Sequence, residues 1–253
     1  MTAAVKLHRH VGRRRAARFL AEGHNLVEAA LRRGVVSEVF ATEAALERFR
    51  SLLADVPVQL VTERAAKALS DTVTPVGLVA VCSLPETTLD DVLADTPTPP
   101  GLIAVAVAMS EPGNAGTLIR AADAMGAVAV VLAGHSVDPY NSKCLRASAG
   151  SIFAIPVVSE PDSAGVVDRL QAAGLQVLAA TVDGEVSLDA ADLAAPTAWL
   201  FGPEAHGLPV ELAAKADHRV HIPMRGNAES LNIAAAASIC LYQSATAHRS
   251  PAN

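Results

Sequence analysis

Three short stretches of the chain concentrate residue types that bind ligands or react. Ser110-Glu111-Pro112-Gly113-Asn114-Ala115-Gly116 runs into a helical pattern that carries Arg120. Phe201-Gly202-Pro203-Glu204-Ala205-His206-Gly207-Leu208 follows a second apolar run, and Ile222 to Asn232 follows a third and closes on Ser230-Leu231-Asn232. Each lies at the C-terminal end of a predicted strand, where ligands bind in open α/β sheets. Asn114 and Asn232 offer amides that donate and accept, Glu204 a carboxylate, Ser230 a hydroxyl, and Arg120 a cation that keeps its proton up to a pKa above ~12. Singly, each stretch has a plainer explanation, because Gly, Pro and Asn are what any turn requires and Ser230 is suited to cap a helix.

Other chemistries lose their support. The chain lacks G-x-x-x-x-G-K-[ST] and G-x-G-x-x-G, the loops that cradle phosphates in kinases, ATPases and dinucleotide enzymes. It has no G-x-S-x-G elbow, although His206, Asp217 and several serines are available, and no H-E-x-x-H. His218 and His221 flank a predicted strand without carboxylates or thiols arranged for a metal, so none is expected. Cys82, Cys144 and Cys240 are widely spaced and odd in number, and read as reduced thiols, two of them in the core.

Short runs of Val, Leu and Ile alternate with longer segments of helical period, the pattern of an α/β fold with a parallel sheet flanked by helices. Strands are predicted at Phe19 to Ala21, Val36 to Ala41, Val58 to Val61 and Gly77 to Cys82, with helices at Asn25 to Arg33, Thr42 to Ala54 and Glu63 to Leu69. Thr42 is a candidate N-cap. Further strands are expected at Leu102 to Ala108, Ala127 to Leu132, Ile152 to Val157, Gln176 to Thr181, Thr197 to Phe201 and Arg219 to Ile222. Helices are expected at Ala115 to Met125, Asp162 to Ala173, Pro209 to Ala216 and Leu231 to Ala247. Three prolines within residues 97–100 mark a linker over 95–101, dividing a domain at 1–94 from one at 102–253. The longest apolar run, Leu102 to Met109, is far short of the roughly 18 to 20 residues that span a bilayer. With no signal-peptide pattern at the start, a cytoplasmic address is expected.

The net charge of -6 hides an asymmetry. Residues 1–33 hold eight basic side chains against Glu22 and Glu28, or +6, while the remainder holds twelve against twenty-four, or -12. A basic run is either a solvated helix face or a phosphate-binding surface, and the composition alone leaves both open.

In combination, Asn114 with Arg120, Gly202 with Glu204, and Ser230-Leu231-Asn232 resemble the three signature motifs of the SpoU or TrmH branch of the SPOUT RNA methyltransferases. The likeness extends through Tyr140-Asn141-Ser142-Lys143-Cys144-Leu145-Arg146-Ala147-Ser148-Ala149-Gly150. In the first domain, Arg18-Phe19-Leu20-Ala21-Glu22-Gly23 resembles the opening of the family's ribosomal-protein-like RNA-binding domain. The resemblance implies a small N-terminal α/β RNA-binding domain and a C-terminal parallel-sheet domain tied in a trefoil knot, which sequence physics alone would not suggest. It implies a homodimeric RNA 2′-O-methyltransferase without a metal, with rRNA favoured over tRNA as substrate. S-adenosylmethionine would be held by Thr181, Leu200, Gly202, Ile222, Gly226 and Leu231. Asn114, Arg120, Glu204, Ser230 and Asn232 would be catalytic, with Arg120 reaching the site from the partner subunit. Arg13, Arg14, Arg15, Arg18, Lys143 and Arg146 would contact RNA. Two rivals remain open at this level: a catalytically silent RNA-binding factor on the same scaffold, and a base methyltransferase of a related branch. The scarcity of aromatics, five Phe, two Tyr and one Trp, points to recognition of RNA by backbone and shape rather than by base stacking.

Overall fold

A computed structural model describes residues 2–95, 101–203 and 206–249, with the backbone alone at 249. The chain divides into two compact units, Met1–Glu86 with Asp138–Ala154, and Thr87–Val137 with Ile155–Asn253. This division differs from a cut at the proline run in two places. The helix Leu89–Asp95 goes with the second unit, and the segment 138–154 goes with the first. Residues 96–100, the centre of the expected linker, lie outside the described residues.

The first unit is built on a four-stranded sheet of β1 (Arg18–Glu22), β2 (Val36–Ala41), β3 (Val58–Leu60) and β4 (Leu78–Ser83) in the order β1-β4-β2-β3. The expectation of parallel pairing is corrected here: β4 runs antiparallel to both β1 and β2, and only β2 and β3 are parallel. Thr42 caps its helix as expected, its hydroxyl accepting from the Ala45 N–H at 3.2 Å. The predicted helix beyond it breaks at Phe49 into Glu43–Arg48 and Arg50–Leu53. Aromatic packing ties in the segment from further along the chain. The Phe19 ring, 1% exposed, lies 4.6 Å from the Tyr140 ring and 6.0 Å from Phe153.

The second unit contains β5 (Leu102–Val107), β6 (Ala129–Ala133), β7 (Val157–Glu160), β8 (Gln176–Ala180), β9 (Val186–Ser187), β10 (Thr197–Phe201) and β11 (His218–His221). All pairs are parallel, in the order β7-β6-β5-β10-β8-β11-β9. Every residue of β5, β6 and β10 is buried, as expected for parallel strands covered on both faces. Alternation assigns the faces of β10. Ala198 and Leu200 join the cluster that includes Val166 and Leu212 of the covering helices. Trp199 and Phe201 point the other way, and the Trp199 indole N–H donates to the buried Ser244 hydroxyl of the C-terminal helix Ile233–Arg249 at 2.9 Å. The strand expected at Ile152 to Val157 is absent: Ser151–Phe153 is a 3-10 turn and the strand begins at Val157. Among the described residues, no helix is long and apolar enough to cross a membrane.

Candidate active site

At the end of β5 the chain turns through Ala108, whose φ of 49° is costly for a residue with a Cβ, by about 1–2 kcal/mol. Flanking bonds hold the turn: Ala108 N–H donates to Ala133 O at 2.9 Å and Met109 N–H to Ser136 Oγ at 3.0 Å. Glu111 then caps the helix Pro112–Ala124 by accepting from the Gly113 N–H, with Pro112 in the first turn where its missing N–H costs nothing. Asn114 sits in that first turn, half-buried. Arg120 is exposed, and among the described residues its guanidinium has no hydrogen-bond or ion-pair partner. The i+3 pair with Asp123 that helix spacing would allow is not formed.

The third loop meets the first. Asn232 Nδ2 donates to Asn114 Oδ1 at 3.2 Å, across 118 residues of chain. The Asn232 Oδ1 accepts from the N–H groups of Ala234 and Ala235 at 3.0 and 3.3 Å, so Asn232, rather than Ser230, is the N-cap of the C-terminal helix. That helix packs on Pro112–Ala124, which fixes the approach of the two asparagines. Ser230 is left free to line the adjacent cavity.

This cavity, of about 450 Å³, opens at the C-terminal ends of β8 and β11. It is lined by Thr181, Ile222, Leu231, Ser230 and Asn232, five of the residues expected from sequence, together with Val182, Pro203, Met224 and Glu229. The additions neighbour expected residues along the same loops, and that adjacency was their one signal. Leu200 is fully buried in the core and does not line the cavity. Gly202 is required by its own loop: a Cβ there would stand 2.4 Å from Leu208 N and 2.5 Å from Gly207 C. A Cβ on Gly226 would meet nothing, so no close approach of the protein to itself demands that glycine. Glu204 lies outside the described residues.

The wall that carries Thr181 and Val182 is pinned to β11. Arg219 pairs with Glu185 at 2.9 Å and Asp183 at 3.3 Å, and His221 Nδ1 lies 2.8 Å from Gly184 O. A bond from the Arg219 backbone N–H, helped by the guanidinium charge, holds the Glu185 carboxyl below its ordinary range. Gly184 lies so flat on β11 that a Cβ would come within 2.7 Å of Val220 C. Thr181 Oγ1 is buried and makes no hydrogen bond among the described residues. An unsatisfied hydroxyl costs about 1–3 kcal/mol, so its persistence on a cavity wall marks a place for a polar ligand atom.

All six basic residues expected to meet RNA fall in the first unit, Lys143 and Arg146 through the helix Ser142–Ser148. Arg14, Arg15, Arg18, Lys143 and Arg146 are exposed, with Arg18 3.4 Å from Glu38. Arg13 is a correction. Only 4% exposed, its guanidinium donates to Asp138 Oδ2 at 2.6 and 2.8 Å and to the Leu7 and His8 carbonyls at 2.9 Å. Four of its five N–H donors are spent on these internal partners, so Arg13 is an internal fastener rather than an exposed phosphate contact.

The profile of the SpoU rRNA Methylase family matches residues 101–242, a span that holds all three loops and the cavity. The chain belongs to the SpoU rRNA methylase family. It is an RNA methyltransferase, and residues 2–80 match the MRM3-like substrate binding domain. Among SpoU relatives, the 23S rRNA (guanosine(2553)-2′-O)-methyltransferase RlmP of Bacillus subtilis is 35% identical over 94% of this chain and 92% of its own. The SpoU methyltransferase AviRb of Streptomyces viridochromogenes, solved with S-adenosylmethionine, superposes with a TM-score of 0.86 at 30% identity, covering 96% of this chain and 95% of the other. The S-adenosylmethionine-bound rRNA methyltransferase of Sinorhizobium meliloti gives 0.83 at 31% identity, over 96% and 92%.

Proposed function

We propose that the chain is an S-adenosylmethionine-dependent rRNA ribose 2′-O-methyltransferase that works as a homodimer. The carrying observation is the Asn232 to Asn114 bond, which closes the first and third motif loops beside a cavity whose wall holds a Thr181 hydroxyl unpaired among the described residues. The cavity fits the cofactor in kind: Ile222 and Leu231 provide apolar walls, and Ser230, Asn232 and Thr181 provide polar contacts.

When bound, S-adenosylmethionine supplies an electrophilic methyl group on a sulfonium. The residues of the chain then have two tasks, to align the ribose hydroxyl and to stabilise the negative charge that grows on its oxygen. Asn232, fixed by its cap bonds and by Asn114, orients the ribose. Arg120 stabilises the developing alkoxide and holds the neighbouring phosphate. A guanidinium keeps its proton, so Arg120 is no ordinary base, and the hydroxyl proton departs late, to water.

An exposed Arg120 without a partner among the described residues supports delivery in trans, to the site of a second subunit. The C-terminal helix adds an outward apolar stripe of Ala235, Ile239 and Tyr242, the last 56% exposed, suited to a second copy of itself. The route from β11 at one side of the sheet, through residues 222–232, to a helix packed on β5 and β10 at its centre is consistent with a knotted path.

Calorimetric titration with S-adenosylmethionine, followed by digestion of methylated rRNA to nucleosides, tests the reading. Binding and a methyl on ribose are expected; absence of heat at millimolar ligand, or a methyl on the base, overturns it. Thr181→Val isolates the cavity wall. Because the substitution removes an unpaired hydroxyl, the melting temperature is expected to hold or rise, while cofactor affinity falls about 3- to 10-fold. Unchanged affinity would remove Thr181 from the binding set.

A further inference from the structure

We infer that the first unit carries a stacking site for one unpaired nucleobase, built from His24, Phe49 and Arg48; the inference rests on the reading of this unit as the RNA-binding part. The His24 and Phe49 rings have centroids 5.2 Å apart and planes inclined by only 9°, a parallel, offset stack. The Arg48 guanidinium carbon lies 5.1 Å from the centroid of the Phe49 ring. Three flat groups from two separate elements therefore gather at one point.

Local structure explains how they meet. Gly23, at φ 88°, turns the chain from β1 directly into the helix His24–Arg33, which places His24 at its first position. Phe49 is the joint between the two short helices Glu43–Arg48 and Arg50–Leu53, and Arg48 immediately precedes it. Glu28 Oε2 stands 3.7 Å from His24 Nε2, and Glu28 is itself held by Arg32 at 2.6 Å, so the imidazole is steadied from its edge; one of its faces is packed on Phe49, and a base would stack on the other.

Packing for stability does not account for this arrangement. Of the unit's other phenylalanines, Phe19 and Phe40 are 1% exposed and Phe153 is half-buried like Phe49; what sets this group apart is the His24 side chain at 44% exposure and the exposed Arg48 beside it. Unlike Arg32 and Arg50, which pair with Glu28 and Glu47, Arg48 has no carboxylate partner among the described residues. An exposed imidazole stacked on a half-buried phenyl ring, beside a guanidinium without a carboxylate partner among the described residues, matches the demands of a nucleobase, which stacks on imidazole or arginine planes and carries a phosphate nearby. Stacking of this kind accepts any base, so the site adds grip on an unpaired nucleotide rather than a sequence preference.

The full-length protein is to be titrated against a 23S rRNA transcript and against a single-stranded RNA decamer carrying one 2-aminopurine, at several salt concentrations. His24→Ala is expected to weaken binding about 5- to 100-fold and to relieve quenching of 2-aminopurine. The slope of affinity against salt stays unchanged, since no phosphate contact is lost. His24→Phe, which keeps the ring and removes the imidazole nitrogens, restores both signals. Salt-dependent binding by the wild type that His24→Ala leaves intact overturns the stack alone. Failure of His24→Phe to restore binding also overturns it, assigning His24 to polar contact instead. No binding by the wild type to either RNA overturns the RNA-binding reading of the unit and the stack with it.

Discussion

Arg120→Ala lowers the rate of methyl transfer by about 10²- to 10³-fold, the loss found when one donor to a developing oxyanion is removed, while S-adenosylmethionine affinity changes by less than about twofold. The prediction follows from position. Arg120 is exposed on the helix Pro112–Ala124, contributes nothing to the cavity lining and has no partner among the described residues that its loss would disturb. Calorimetry and single-turnover methylation separate the two quantities. Mixing then tests the subunit of origin. If the chain pairs as proposed and the arginine acts across the dimer, co-expressed Arg120→Ala and Asn232→Ala chains give heterodimers in which one site combines an intact cavity with an intact arginine. About a quarter of wild-type activity is then expected from randomly paired chains, and essentially none if Arg120 serves its own chain.

Arg13→Ala is expected to destabilise the first unit by about 3–5 kcal/mol, the cost of stripping one partner from a buried pair. Asp138, whose side chain is 18% exposed, would lose both guanidinium bonds, and the carbonyls of Leu7 and His8 would lose their donor. Replacing both partners, as Arg13→Met with Asp138→Asn, should recover much of that loss because no lone charge is left buried. Urea unfolding followed by far-UV circular dichroism measures both variants. A loss below about 1 kcal/mol for Arg13→Ala would mean that the pair is screened like a surface one.

These two arginines also show what the sequence disclosed and what it withheld. Local pattern sufficed for β2 and β10, whose ends coincide with the predicted strands, and for the Thr42 cap, because each depends on neighbours in sequence. The three loops were legible as a set, and the structure joins the first and third through Asn114 and Asn232. By sequence Arg13 belongs with Arg14 and Arg15, because a run of basic residues reads as one surface. Its burial depends on a carboxylate 125 residues away, which no local window contains. Ser230 and Asn232 are equally good caps by type, and only the backbone path selects between them. Ile152 carried too little context to separate a strand from a 3-10 turn. The low count of aromatics argued against stacking on RNA, yet a count cannot report that His24 and Phe49 are brought face to face.

The first unit is not a continuous stretch of chain, and this has a consequence for how the protein is made. Its segment 138–154, with Tyr140 and Phe153 against Phe19 and Asp138 on Arg13, follows β5 and β6 of the other sheet. During synthesis from the N-terminus, residues 1–86 emerge with Arg13 and Phe19 lacking these partners, and must wait while 51 further residues are added before the missing piece appears. Neither half is therefore a cassette that one cut could exchange between genes. A graft of the substrate-binding part would have to carry two inserts, and recombination within residues 87–137 would separate the pieces of a single folded body.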